Sequence, residues 1–143
     1  MSYYFENIQN ISEADNLKIL NMRNHPDVAK QMETPKFITW REHLEYISNT
    51  QKNVKVFYCN NTPVGTFELN LESSEFGIMI DPYYKGAGFG TAMMKLFLEE
   101  FPNHDLKSKA KKDNTVAVKL YEKFDFKFTD IDSEYFGIKR KGE

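Results

Sequence analysis

Residues 80–91 read Ile-Asp-Pro-Tyr-Tyr-Lys-Gly-Ala-Gly-Phe-Gly-Thr, so every second residue from 86 to 90 is a glycine. An alternating strand pattern precedes this loop, and a helical pattern with aromatic and methionine residues on one face follows it. Glycines let the backbone approach an anion closely, and the free N–H groups at the start of a helix bind that anion. The stretch therefore predicts a phosphate-binding loop, the alternative being a tight turn that only needs flexible residues.

Two well-known phosphate-binding motifs do not match this loop. A nucleoside-triphosphate P-loop requires Gly-Lys followed by Ser or Thr, and no Gly-Lys pair occurs in the chain. The dinucleotide-binding fingerprint requires a glycine where Thr91 stands. The chain has no Gly-x-Ser-x-Gly elbow, and its histidines lack metal-ligand spacing, so we expect no metal.

The composition indicates an ordinary folded domain, which we expect to span residues 1–143. Hydrophobic residues make up 41% and charged residues 28% of the chain, which argues against disorder. No apolar run approaches the ~20 residues of a membrane helix, and a net charge of −2 gives no strong field for nucleic acid. With no secretory signal and one cysteine, Cys59, we expect a cytoplasmic protein with a buried thiol. The oligomeric state, monomer or homodimer, stays open.

Local patterns predict the element order β-α-α-β-β-β-α-β-α-β-β. Ser12 with Asp15 opens a first helix that ends near Asn24, and Thr39 with Glu42 forms a capping box that opens a second. The inward residues of the helices are expected to include Leu17 and Leu20, then Trp40, Leu44 and Ile47, and then Val116, Ala117, Leu120 and Tyr121. The predicted strands cover residues 2–8, 54–58, 67–71, 76–80, 106–110, 126–129 and 134–139.

The segment 76–110 reads as strand, helix and strand, which predicts a right-handed parallel crossover inside an otherwise antiparallel sheet. The predicted fold class is α/β (α+β), with a mixed, mostly antiparallel sheet of six to seven strands and helices on both faces. Gly77 indicates a bulge or a close backbone approach, with a simple bend as the alternative. Lysines 107, 109, 111 and 112 predict a solvated strand face.

Two stretches resemble the motifs of one enzyme family. Residues 80–90 resemble motif A of the GCN5-related N-acetyltransferases (GNAT), usually written Arg/Gln-x-x-Gly-x-Gly/Ala, with Lys85 at the Arg/Gln position. Residues 114–126, Asn-Thr-Val-Ala-Val-Lys-Leu-Tyr-Glu-Lys-Phe-Asp-Phe, are similar to its second motif, with Asp125 where glycine is usual. The resemblance covers residues 75–128. It implies the GNAT fold, whose central parallel strands splay apart, and an acetyl-coenzyme A-dependent N-acetyltransferase.

The resemblance also implies roles for individual residues. Tyr121 would be the general acid that protonates the departing thiolate, the alternative being a core aromatic. Glu75 would accept the proton of the amine, with Glu68 or no dedicated base as alternatives. Lysines 107, 109, 111 and 112 could also meet the cofactor's phosphates. The implied cofactor-binding residues are Ile78, Ile80, Lys85, Gly86, Ala87, Gly88, Phe89, Gly90, Thr91 and Asn114.

Residues 22–28, Met-Arg-Asn-His-Pro-Asp-Val, together with Phe37-Ile38 and Glu42-His43-Leu44, resemble the amino-sugar N-acetyltransferases of the pseudaminic acid pathway, which acetylate a nucleotide-linked 4-amino sugar. This implies that Arg23, His25 and Tyr83 contact the acceptor, although the same run also suits a helix end. A polyamine or a protein N-terminus is the alternative acceptor. A coenzyme A-binding module without chemistry is the alternative function.

Charge discriminates weakly between these acceptors. A nucleotide-sugar site needs cations and aromatic rings, which Arg23, Lys36 and Arg41 could supply together with Phe37 and Trp40. A polyamine site needs clustered carboxylates, for which the available pool is Glu33, Glu68, Glu72 and Glu75.

Overall fold

A computed structural model describes residues 1–32, 34–49 and 51–143 of the chain, so Glu33 lies outside the described residues. The predicted element order is confirmed, and the short turn or helix expected between residue 25 and about Met32 is a one-turn helix. The strands are β1 (Tyr3–Asn7), β2 (Lys52–Cys59), β3 (Thr62–Asn70), β4 (Phe76–Ile80), β5 (Leu106–Lys111), β6 (Lys127–Asp130) and β7 (Tyr135–Arg140). The helices are α1 (Glu13–Asn24), α2 (Pro26–Ala29), α3 (Trp40–Ile47), α4 (Phe89–Glu100) and α5 (Thr115–Lys123).

The strands form two antiparallel sheets that meet at one point. The first sheet has the order β1-β2-β3-β4, and the second has the order β5-β7-β6. Glu75 and Lys107 form a parallel bridge between them, and the Lys107 N–H donates to the Ser74 carbonyl at 2.9 Å. Among the described residues no further pairing joins β4 to β5. The predicted parallel pair is therefore present and splays apart beyond its first residues.

The two faces of the first sheet bury different cores. On one face, α4 and α5 pack into a core that continues under Leu106 and Ile138 of the second sheet. The rings of Phe67 and Phe97 stack within it, with centroids 3.7 Å apart. The other face, which we call the α1 face, packs against α1 and α3 around Val56. In the second sheet Leu106 points into the shared core, so the odd-numbered lysines of β5 lie on the opposite side of that sheet. We include that side in the α1 face.

Several residues that the pattern placed inward lie on the surface. Leu17, Leu44 and Val116 are exposed, and so is Leu71, which follows the end of β3. In α1 and α3 the buried positions next to these leucines are taken by the polar residues Asn16 and His43. A pattern of apolar residues misses such positions because Asn16 and His43 satisfy each other by a hydrogen bond. Val116 lies in the first turn of α5, whose buried residue is Tyr121.

The predicted bulge at Gly77 is wrong. The pairing of β3 with β4 is regular through Glu68 and Gly77. The irregularity lies between Phe57 and Tyr58 of β2, where Gly65 and Pro63 are the successive partners on β3. The residue between those partners is extra in β3, as a bulge requires.

Replacing Gly65 by Ala is expected to lower the free energy of unfolding by about 2–3 kcal/mol, because the new Cβ overlaps the backbone carbonyl of Met79. Urea unfolding followed by circular dichroism measures this change. Gly77→Ala is the matched control, since its Cβ meets nothing within 4 Å. Equal effects of the two substitutions would contradict the packing described for Gly65.

Candidate active site

The glycine loop presents an open backbone surface at the start of α4. Gly86 and Gly88 have φ angles of +80° and +81°, which L side chains rarely adopt. A Cβ at either position would meet nothing within 4 Å, so the space above the backbone is free. Gly88 is the N-cap of α4, and the first N–H groups of a helix have no partner within it. The loop and these donors together form a cradle for an anion.

Two further features of the cradle differ from the sequence interpretation. Gly90 lies inside α4, where its Cβ would make an ordinary contact of 3.6 Å with Leu120, so this glycine needs no special conformation. Lys123, on α5, donates to the Thr91 hydroxyl at 3.3 Å and brings a cation to the loop beside exposed Lys85. Sequence reasoning missed Lys123, because only the packing of α5 beside α4 brings it near the loop.

Helix α5 positions the two predicted residues of the second motif. The Asn114 side-chain oxygen caps α5 by accepting from the Ala117 N–H at 3.2 Å. Tyr121 is buried, its ring standing edge-on to Phe76 of β4 with centroids 5.8 Å apart and 5.1 Å from the Phe126 ring. Burial raises the pKa of the Tyr121 hydroxyl, which keeps it protonated at neutral pH.

The Tyr121 hydroxyl is free to act on a ligand. It has no hydrogen-bond partner among the described residues, and its oxygen is not completely shielded from solvent. It lies beside β4 at the splay, where half-buried Ile78 and Ile80 continue the strand. Since β4 pairs with β3 on one side only in this part, its other edge offers backbone donors and acceptors.

A chain of polar contacts runs across the α1 face from β3 to α1. Glu68 accepts from the Tyr46 hydroxyl at 2.8 Å and pairs with Lys52 at 3.1 Å. The Arg23 guanidinium lies 4.0 Å from the centroid of the Tyr46 ring. Its Nη1 contacts His43 Nδ1 at 2.9 Å, and His43 Nε2 lies 3.0 Å from the Asn16 oxygen. The contacts hold Arg23 and Glu68 in fixed positions on one surface.

His43 is fully buried in this chain and is uncharged at neutral pH. Burial, with a smaller effect of the Arg23 charge, lowers the pKa of His43 to about 4. Neutral Nδ1 accepts from Arg23, and Nε2–H donates to Asn16. The sequence interpretation excluded all three histidines as metal ligands and gave only His25 a role at the acceptor. It did not predict the burial of His43, since no local signal distinguishes a histidine that is buried by another helix.

The pKa of His43 predicts a loss of stability in mild acid. The unfolded chain binds the His43 proton near pH 6.5 and the folded protein only near pH 4, so the unfolded state holds more protons between these values. The free energy of unfolding should fall by about 2 kcal/mol from pH 6.5 to 4.5. Urea titrations over this range measure it, with His43→Gln as the variant that should lack this component and exposed His104→Gln as the control. The same slope in His43→Gln would contradict the account.

The two candidate bases lie on the same face but in different surroundings. Glu68 is three-quarters buried, with 27% of its side chain exposed, and lies opposite Gly77, where no side chain fills the space. Glu75 is exposed and stands where β4 and β5 meet, its carbonyl accepting from the Asn70 N–H at 2.8 Å. The structure therefore brings both carboxylates to the α1 face near the splay.

The three predicted acceptor-binding residues are not brought together. Arg23 borders a cleft of about 440 Å³ on the α1 face. His25 caps α2 instead, with Nδ1 accepting from the Asp27 N–H at 3.0 Å, and it does not line that cleft. Tyr83 is 85% exposed in the glycine loop, edge-on to Tyr84. The cleft is lined by Arg23, Met32, Thr34, Lys36, Ile38, Glu42, Glu45 and Tyr46.

The cations near this cleft are largely neutralised. Lys36 is hydrogen-bonded to Glu42, and Arg41 lies 3.8 Å from Glu45. The predicted supply of free positive charge at Lys36 and Arg41 is therefore weaker than their sequence positions indicated. Among the described residues no group of three His, Cys, Asp or Glu side chains could hold a metal ion, and no described helix is long and apolar enough to cross a membrane.

The chain belongs to the acetyltransferase (GNAT) family, whose sequence model matches residues 16–126. Acetyltransferase PseH of Campylobacter jejuni subsp. jejuni is 30% identical over an alignment of 129 residues, and the match covers 84% of this chain and 82% of that protein. The crystal structure of C. jejuni N-acetyltransferase PseH in complex with acetyl coenzyme A has a TM-score of 0.74 at 20% identity, covering 99% of this chain and 100% of that one. Brucella melitensis ribosomal-protein-alanine N-acetyltransferase has a TM-score of 0.78 at 13% identity, covering 96% and 99%.

These findings confirm the predicted family and the predicted fold, a mixed α/β GNAT fold with a splayed parallel pair. They also confirm the class of enzyme, an N-acetyltransferase with acetyl-coenzyme A as donor. The similarity to the Brucella enzyme is one of fold and does not bear on the acceptor.

Proposed function

We propose that the protein transfers the acetyl group of acetyl-coenzyme A to the primary amine of a nucleotide-linked 4-amino sugar, as in pseudaminic acid synthesis. The similarity to PseH over 84% of the chain supports this acceptor. The arrangement of the site supports the reaction: the glycine cradle and Tyr121 lie along β4, and the carboxylates lie on the α1 face. We also propose that the protein acts in the cytoplasm and that residues 1–143 form one domain.

The residues of the cradle fit acetyl-coenzyme A. The free space above Gly86 and Gly88 admits a diphosphate, and the N–H groups from Gly88 to Thr91 provide donors. The Ala87 N–H donates to the Tyr84 carbonyl at 3.1 Å, so Ala87 shapes the loop and does not supply a free donor. Lys85 and Lys123 add positive charge at the loop. Asn114 and the open edge at Ile78 and Ile80 hold the pantetheine arm. When bound, acetyl-coenzyme A supplies an activated acetyl thioester.

Tyr121 serves as the general acid. Its hydroxyl is protonated, has no partner among the described residues and adjoins β4. The amine forms the new C–N bond as the C–S bond breaks, and Tyr121 gives its proton to the departing sulfur. A β4 backbone N–H at Ile78 or Ile80 stabilises the charge that develops on the carbonyl oxygen.

Glu68 or Glu75 takes the proton of the amine. Glu68 is the better placed of the two, because the Tyr46 hydroxyl and Lys52 fix its orientation and the space at Gly77 lies beside it. Glu75 reaches the same face from the start of β4. Arg23, held by His43, contacts the acceptor on this face.

A thiol-release assay across acceptors tests the proposed function. We expect kcat/KM for a UDP-linked 4-amino-4,6-dideoxy sugar to exceed that for spermidine or an N-terminal peptide by at least about tenfold. Glu68→Gln and Glu75→Gln, compared with Lys95→Gln, assign the base by a loss of kcat at neutral pH. Turnover of spermidine alone would replace the sugar by a polyamine, and cofactor binding with no transfer to any amine would indicate a module without chemistry.

A further inference from the structure

Three lysines stand side by side across the second sheet. Lys107 of β5 pairs in register with Lys139 of β7, and Lys139 pairs with Lys127 of β6. Paired residues of neighbouring strands point to the same face, so the three side chains form one line about 10 Å long. We call this set, Lys107, Lys139 and Lys127, the lysine row.

Nothing in the described protein neutralises the lysine row. All three side chains are exposed, and none forms an ion pair within 4.0 Å with a carboxylate of the described residues. Neighbouring lysines differ, since Lys112 pairs with Asp130 at 2.6 Å and Lys111 donates to the Lys30 carbonyl at 2.7 Å. Like charges directly opposite one another destabilise a sheet, and a bound anion would remove that repulsion.

The lysine row borders a cleft with room for such an anion. The cleft has a volume of about 500 Å³, and Lys141 adds a further cation to its lining. Arg140 also lines the cleft, but it pairs in register with Leu106 and its Nε donates to the Phe124 carbonyl at 3.0 Å. Ser73 and Ser74 contribute hydroxyl groups. The acidic residues of the lining are Asp105, which accepts from the Gly142 N–H at 2.7 Å, and Asp125. Cations therefore outnumber carboxylates there.

The position of the lysine row relates it to the site of acetyl transfer. The backbones of Lys107 and Glu75 form the parallel β-bridge between the two sheets, so the row begins where β4 and β5 meet. Leu106, Ala110 and Ile138 point into the shared core, which leaves the row on the α1 face. That face also carries Glu68 and Glu75, the carboxylates assigned to the amine. Glu75 lies about 5 Å, one strand spacing, from Lys107, and Glu68 lies one strand further on, opposite Gly77. A ligand whose amine lies at these carboxylates can therefore extend over the row.

We propose that the lysine row binds the diphosphate of the acceptor, an inference that rests on the proposed function. A single phosphate reaches two neighbouring lysines, whereas a diphosphate spans all three. The cleft beside Arg23 is a poorer anion site, because Glu42 and Glu45 line it and Arg23 Nη1 is engaged by His43. With its diphosphate on the lysine row and its amine at the carboxylates, one substrate occupies adjacent parts of the α1 face.

Thermal unfolding with inorganic pyrophosphate tests binding apart from catalysis. The protein is first saturated with coenzyme A, so that the glycine cradle is occupied. We expect pyrophosphate at ten times its Kd to raise the Tm of the wild type by roughly 3–5 °C. Lys139→Gln should lose most of this shift and should have an equal or higher Tm without pyrophosphate, since it relieves repulsion. Lys95→Gln, on α4, is the matched control and should keep the shift.

Each remaining outcome has one meaning. The same pyrophosphate shift in Lys139→Gln and in the wild type would overturn the proposal, as would a shift that only Arg23→Gln abolishes. A weaker affinity of Lys139→Gln for coenzyme A would assign the row to the cofactor's phosphates and overturn it too. With the UDP-linked amino sugar, Lys139→Gln should raise KM about tenfold with kcat unchanged. Row-dependent pyrophosphate binding without acetyl transfer would remove the proposed function alone.

Discussion

Replacing Tyr121 by Phe is expected to lower kcat by about 10²–10⁴-fold, the range that a positioned general acid contributes. The substitution removes only the hydroxyl, which has no partner among the described residues. The ring contacts with Phe76 and Phe126 remain, so the free energy of unfolding should change by less than about 1 kcal/mol. Acetyl-coenzyme A affinity should stay within about twofold, because the cradle is untouched.

Steady-state kinetics and a titration with acetyl-coenzyme A measure these effects together. Tyr4 lies on β1, and its hydroxyl donates to Asn61 at 3.0 Å. Tyr4→Phe is therefore the control and should keep the wild-type kcat. Since burial raises the pKa of Tyr121, ionisation of this residue should not lower wild-type activity at pH values up to about 10. Unchanged turnover in Tyr121→Phe would leave Tyr121 as a core aromatic.

Replacing Gly88 by Val is expected to weaken acetyl-coenzyme A binding by at least about tenfold. Two effects act together: a branched side chain is strained at φ +81°, and its methyl groups fill the free space of the cradle. The strain should also lower the free energy of unfolding by about 1–2 kcal/mol. Isothermal titration calorimetry with acetyl-coenzyme A measures the affinity of the folded variant.

Gly90→Ala separates the cradle from the helix that follows it. Gly90 has an ordinary helical conformation and its Cβ would contact Leu120 at 3.6 Å, so alanine should preserve affinity and stabilise α4 by about 0.5–1 kcal/mol. If Gly88→Val bound acetyl-coenzyme A as tightly as Gly90→Ala, the diphosphate would not lie on this loop.

The sequence predicted those features that depend on neighbours in the chain. Ser12 caps α1 through the Asp15 N–H, and Thr39 and Glu42 form the capping box of α3, both as predicted. The position of the glycine loop between β4 and α4 was predictable too, since the φ angle of a residue and the start of a helix depend on the local sequence. The order of the strands and the parallel crossover also follow from short patterns.

Features that depend on distant contacts escaped prediction. His43 is buried because Asn16 and Arg23 of another helix satisfy its two nitrogens, which favours it over the apolar Leu44. Lys123 reaches Thr91 across 32 residues of sequence. The lysine row exists only through the register of three strands. In each case a tertiary contact gives a residue a role that its neighbours in the sequence do not indicate.

Transfer of a labelled acetyl group tests the central claim most directly. The enzyme is incubated with [1-13C]acetyl-coenzyme A and a UDP-linked 4-amino-4,6-dideoxy sugar, and the product is examined by NMR and mass spectrometry. The account predicts one acetyl group per sugar, bonded to the 4-amino nitrogen, with an equal amount of free coenzyme A. Release of coenzyme A with labelled acetate and an unmodified sugar, or transfer confined to a polyamine or a peptide N-terminus, would contradict it.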